Sequence, residues 1–154
     1  MNDYEKTILA NIEAFGCSVT SVSDPEGEQP PFSYSIGIAR SAGAPEVIVV
    51  GLAPKLGHWM VNEYNRRVGS GERFERGTLY EGFLDGFAVQ FGPVGRTHRE
   101  HYMRSATWLH DGPDFEAVQL IWPSTSGAWP WDAEASDWFR ANQPVLAGSA
   151  TEEH

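Results

Sequence analysis

A histidine pair, a cluster of arginines and a run of tryptophans are the residues of this chain that could do chemistry. His98-x-x-His101 places two imidazoles about one helical turn apart. A zinc site needs a third and a fourth ligand, and none stands at metal-site spacing; His58, His110 and Glu100 could join only through the fold. No stoichiometric metal is expected. Arg66, Arg67, Arg73, Arg76, Arg96, Arg99 and Arg104 all fall in the middle third of a chain whose net charge is −10. The planar guanidinium fork suits carboxylates and phosphates, so a local anion site is one reading of this cluster. A salt-bridged helix face is the other. Gln119-Leu-Ile-Trp-Pro-Ser-Thr-Ser-Gly-Ala-Trp-Pro-Trp131 holds three of the six tryptophans. These indoles either plug one end of a core or form an aromatic wall for a planar ligand or a protein partner.

Other chemistries lack their residues. There is no Gly-x-Ser-x-Gly elbow for a serine nucleophile, and Cys17 has no local base. Gly69-Ser-Gly71 follows a helical pattern instead of opening one, so it presents no helix N-terminus to a phosphate. Whether the chain is an enzyme stays open, because a cofactor can carry chemistry that the protein lacks.

The elements that must position these residues are legible in the periodicities. Asn2 and Glu5 form a capping box for a helix over 3–15, with Ile8, Leu9, Ile12 and Phe15 on its apolar face and Gly16 as its stop. A strand over 17–23 and a polar loop over 24–31 follow. The strand over 32–38 sets Phe32, Tyr34, Ile36 and Ile38 on one face. Its other face is Ser33, Ser35 and Gly37, small enough for a helix or a ligand to approach the backbone. A turn over 40–45 leads to a buried, valine-rich strand over 46–52. Pro54 opens a helix over 54–68, with Leu56, Met60, Tyr64 and Val68 at helical spacing and Trp59 and Val61 widening the face. Strands over 78–83 and 87–94 make a hairpin around Asp85-Gly86. A helix over 98–110 capped by Thr97, a strand over 115–122 and a last helix over 133–141 capped by Asp132 complete the pattern. The class is α+β: one mainly antiparallel twisted sheet or partly open barrel, about six strands packed by about four helices.

Composition bounds the rest. The 154 residues suffice for one domain, expected over 1–146, with an acidic, disordered tail over 147–154. The single Cys17 excludes an internal disulfide. The acidic balance argues against nucleic-acid binding, which needs a basic surface. No apolar run reaches membrane-spanning length and no leader pattern is present, so the cytoplasm is the expected compartment.

Six segments carry a resemblance. They are Pro31-Phe-Ser-Tyr-Ser-Ile-Gly-Ile38, Pro45-Glu-Val-Ile-Val-Val-Gly-Leu52, Gly71-Glu-Arg-Phe-Glu-Arg-Gly77, Gln119-Leu-Ile-Trp-Pro123, Gly127-Ala-Trp-Pro-Trp131 and Gln143-Pro-Val-Leu146. In this order they resemble a bacterial family known as a domain of unknown function, DUF 4262. Ser124 departs from the Asp usual after Trp-Pro, Trp129 from the Phe usual before Pro-Trp, and Ser35 from the usual Thr. A looser likeness, of fold alone, is to flavin-reductase-like split barrels, which implies FMN against small residues with its phosphate on an Arg.

Two functions are therefore open. One is a small planar or anionic ligand in an aromatic pocket. Its floor would be Ser33, Ser35 and Gly37, its wall Trp122, Trp129 or Trp131 with Gln119 beside it, and its clamp Arg73 or Arg76. The other is a non-enzymatic interaction module, an acidic regulatory or partner-neutralising protein anchored by its tryptophans. The oligomeric state is left open.

Overall fold

The computed structural model describes residues 1–147. Apart from Ala147, the expected acidic tail lies outside the described residues. The helices are α1 (Asp3–Phe15), α2 (Ile38–Ala42), α3 (Pro54–Gly69), α4 (Arg96–Tyr102), α5 (Arg104–Leu109) and α6 (Asp137–Asn142). The strands are β1 (Ser18–Val22), β2 (Phe32–Ile36), β3 (Glu46–Val50), β4 (Tyr80–Leu84), β5 (Phe87–Pro93) and β6 (Ala117–Ile121). They form one open sheet in the order β1-β2-β3-β6-β5-β4. All pairs are antiparallel except β3 with β6. The α+β class holds, and the sheet does not close into a barrel.

Hydrophobic packing covers both faces of the sheet. On one face α3 sets Met60, Val61, Tyr64 and Val68 against Val47, Val49, Phe91 and Leu120. On the other, Ile8 of α1 and Met103, Ala106 and Leu109 meet Tyr34, Ile36, Ile48 and Val50. Strand β3 is buried at all five positions, which is why the four residues after Glu46 read as an unbroken apolar run. The small face of β2 is where α3 comes in. A Cβ on Gly57 would lie only 2.6 Å from Ser33 Oγ, so a helix, not a ligand, takes the close approach.

Several expectations need correction. Strand β2 ends at Ile36, because Gly37 takes φ 107° and turns the chain into the unforeseen α2. Ile38 consequently joins the α3 side of the core, opposite Tyr34 and Ile36. The single helix expected over 98–110 is two, broken at a fully buried Met103 (φ −101°, ψ 55°). The break sends Met103 inward, and the Ser105 amide donates to Tyr34 Oη at 3.1 Å, supplying an acceptor at the start of α5. Its first cap is Gly95, not Thr97. The last helix starts four residues late, capped by Ser136 (3.0 Å from the Phe139 amide). Asp132 instead accepts from the Trp129 amide at 2.8 Å and holds the tryptophan turn. Phe15 and Trp59, expected inward, are 70% and 51% exposed.

Candidate functional site

The motif residues are largely spent on one another. Glu46 is wholly buried at the start of β3. Its Oε1 accepts from Ser35 Oγ (2.7 Å) and the Ile38 amide (3.0 Å), and its Oε2 from the Gly37 amide (2.9 Å). Ser35 Oγ in turn accepts from the Val47 amide at 2.9 Å. A hydroxyl and backbone amides thus solvate a carboxylate that burial would otherwise penalise. Ser33 bonds Ser21 at 2.8 Å beneath α3. Ser33, Ser35 and Gly37 therefore serve the sheet and its turn.

The tryptophan and glutamine motifs behave alike. Trp122 is 8% exposed, donates from Nε1 to Val50 O (2.9 Å) and packs edge-on against Phe139. Gln143 closes a two-way bond with the Trp122 backbone, accepting its amide at 3.0 Å and donating to its carbonyl at 2.8 Å. Gln119 does the same for the C-terminal segment, donating to Pro144 O (2.9 Å) and accepting from the Leu146 amide (2.8 Å). Trp129 and Trp131 stack on each other at 5.8 Å, Trp129 half-buried and Trp131 52% exposed. Ser124 Oγ accepts from the Ala128 amide at 3.1 Å, the turn bond an Asp would also make there.

Arg73 is a backbone clamp. It donates to Val68 O (3.0 Å), Glu72 O (2.7 Å) and Ala42 O (2.8 Å), tying the loop after α3 to the end of α2. Beside it Phe74 plunges inward, stacked on Phe91 at 4.7 Å and edge-on to Tyr80 at 4.8 Å. Tyr80 Oη accepts the Glu75 amide at 2.7 Å. The loop is thus fastened on both sides of Arg76, whose guanidinium has no hydrogen-bond or ion-pair partner among the described residues. Arg76 overhangs a cleft of about 310 Å³ lined also by Phe74, Phe91, Pro93, Arg99 and Glu116. Arg99 is held by Nε on Pro113 O (2.8 Å) and by Nη1 on Val94 O (2.6 Å), which leaves Nη2 unspent. Two guanidiniums with spare donors thus line the same cleft as the Phe74–Phe91 stack, with Glu116 as the cleft's one acidic group.

Of the residues singled out in the sequence, this cleft gathers Arg76, named there as a clamp, and Arg99, named there only within the arginine cluster. Phe74 and Phe91 are the members the sequence reading missed. Phe74 and Phe91 read as ordinary strand or loop apolar positions, and Arg99 as one of seven arginines; no spacing joins them. The tryptophans do not line the cleft. Of the residues named for FMN, the small-residue floor lies under α3, and Arg73 donates to carbonyls.

Among the described residues no group of three or more His, Cys, Asp or Glu is placed to hold a metal ion. No helix among them is long and apolar enough to cross a membrane. No curated protein and no solved structure matches the chain. Residues 11–136 match the family model described as Domain of unknown function (DUF4262), and the chain belongs to that family.

Proposed function

We propose that this domain binds a small anion with a flat apolar body, such as an aryl phosphate or aryl carboxylate, between Arg76 and Arg99. The observation that carries the reading is a pair of guanidiniums with unspent donors lining one cleft with the Phe74–Phe91 stack, in a chain of net charge −10. A cationic cleft with low-dielectric walls concentrates anions even when the whole molecule repels them. Arg99 gives fixed direction, Arg76 an adaptable second charge, and the rings take the apolar body.

Phenyl phosphate is the probe. Titrated into labelled protein, it should shift the Gly92, Val94 and Ala117 amides, and inorganic phosphate should do so more weakly because it leaves the rings bare. Arg76→Glu should weaken binding by about tenfold or more, near 1.4 kcal/mol, whereas Arg104→Glu elsewhere on the surface should not. Unmoved amides, or equal binding by Arg76→Glu, refute the site.

A second reading, the protein-interaction module, is favoured by tryptophans 59, 108, 131 and 138, which are 51%, 36%, 52% and 71% exposed. Exposed indoles are costly surface and effective anchors. On that reading Trp131→Ser and Trp138→Ser would leave stability within about 0.5 kcal/mol and phenyl phosphate binding intact. Loss of that binding in either variant would instead tie the indoles to the cleft.

A further inference from the structure

Next to the arginine cleft lies another, about 470 Å³, lined by Arg40, Ala44, His110, Asp114, Phe115 and Glu116 among others. Its histidine is held in an unusual way. His110 Nε2 lies 2.8 Å from Oε2 of Glu46, the wholly buried carboxylate that also caps the Gly37 turn. The ring stacks on Phe115 at 4.8 Å and 28°. Its side chain is 16% exposed, against 0% for Glu46. Among the described residues no buried side-chain nitrogen or oxygen lacks a partner. Nδ1, which has none, is therefore not fully enclosed, and its ring lines the cleft.

A carboxylate can only accept, so Nε2 carries the hydrogen and Nδ1 presents a lone pair. A hydrogen bond at one ring nitrogen fixes the tautomer and the orientation of the ring. The next residue, Asp111, is the one non-glycine with positive φ (58°) among the described residues, which fixes the chain's turn just past the ring. Arg40 donates one weak bond, to Leu109 O at 3.4 Å, and otherwise faces the cleft. Asp114 is occupied by Arg96, and Glu116 forms the wall shared with the arginine cleft. On the far side Arg99 lies over the same Phe115 ring, 5.9 Å from its centroid.

We propose that His110 Nδ1 is the proton-accepting atom of this second cleft, acting on an oxyanion that still carries an acidic proton, such as a phosphate or phosphate monoester held against Arg40. In that step the ligand O–H bond breaks and an Nδ1–H bond forms. The electron pair stays on the ligand oxygen, Nε2 keeps its hydrogen, and the new positive charge faces Glu46. The second ionisation of a phosphate monoester lies near 6, so such a ligand still carries its acidic proton in part near neutral pH. Glu46 is a positioning residue.

Two measurements on the intact chain test this, neither relying on the arginine cleft. Long-range proton–nitrogen spectra above neutral pH should show a protonated Nε2 and an unprotonated Nδ1 at His110. Diethyl pyrocarbonate, with the product located by mass spectrometry, should then modify His110 at least as fast as the exposed His58. Inorganic phosphate should remove half or more of the His110 rate, and sulfate, which is at least as anionic but proton-free at neutral pH, should not. Arg40→Gln should abolish that protection, and Arg76→Glu should leave it intact. An inert His110 or the reverse tautomer overturns the proton acceptor. Equal protection by phosphate and sulfate, or none by either, overturns the protonated oxyanion as its ligand.

Discussion

Cys17 shows how burial decides what a side chain can do. It is 3% exposed, and burial first, then the nearby Glu46 charge, pushes its thiol from 9.0 to about 12. The thiolate is the reactive form, so native Cys17 should resist iodoacetamide at pH 8 and react fully once the chain is unfolded. Rapid alkylation of the native protein would contradict the burial. Ile36 is a purer case of packing, with no accessible surface and neighbours on β3 and α1. Ile36→Ala should cost about 2–5 kcal/mol in a denaturant titration. An unchanged midpoint would remove it from the core.

At the scale of elements, the sequence announced what periodicity and caps encode and concealed what depends on partners. Helix α1, with its Asn2–Glu5 capping box, and helix α3, with Pro54 at its first position, stand where local chemistry put them. The Asp85-Gly86 hairpin does too. Helix α2 was hidden because five residues cannot hold a helix alone; it exists because Glu46, eight residues onward, takes its first amides. The break at Met103 was hidden for the same reason, since its cap is a tyrosine 71 residues away in sequence. The parallel β3–β6 pair joins segments separated by a helix, a hairpin and two more helices. The candidate site followed suit: Arg76 was legible as part of a basic cluster, whereas the Phe74–Phe91 floor and the Glu46–His110 pair needed the fold. Gly37 condenses this dependence. It sits at φ 107°, and a Cβ there would come within 2.6 Å of Ile12. Gly37→Ala should therefore destabilise by more than the ~1 kcal/mol of an ordinary glycine substitution and loosen α1 as well as α2. Hydrogen exchange confined to α2 would show that the α1 contact carries no weight.

For the whole molecule, stability against pH follows from its buried acids. Burial also raises the ionisations of Tyr34 and Tyr64 above their ordinary 10.0. A neutral acid held protonated in the native state stabilises folding fully below its unfolded pKa, and that contribution is lost as pH climbs toward the folded one. Unfolding free energy should therefore decline from about pH 9 upward, first through Cys17 and then, above 10, through the tyrosines. Cys17→Ala should remove the earlier part of the decline and spare the later. The glutamine clasps bear on a different question, where the unit that folds by itself stops. The family match ends at residue 136, yet Gln143 completes the backbone of Trp122, and Gln119 is completed by Pro144 and Leu146. A chain cut at the family boundary would expose a strand end with its amide, its carbonyl and a buried glutamine all unanswered. The hydrogen bonds of the fold thus run ten residues past the family match, and a boundary drawn from the family alone would cut through them.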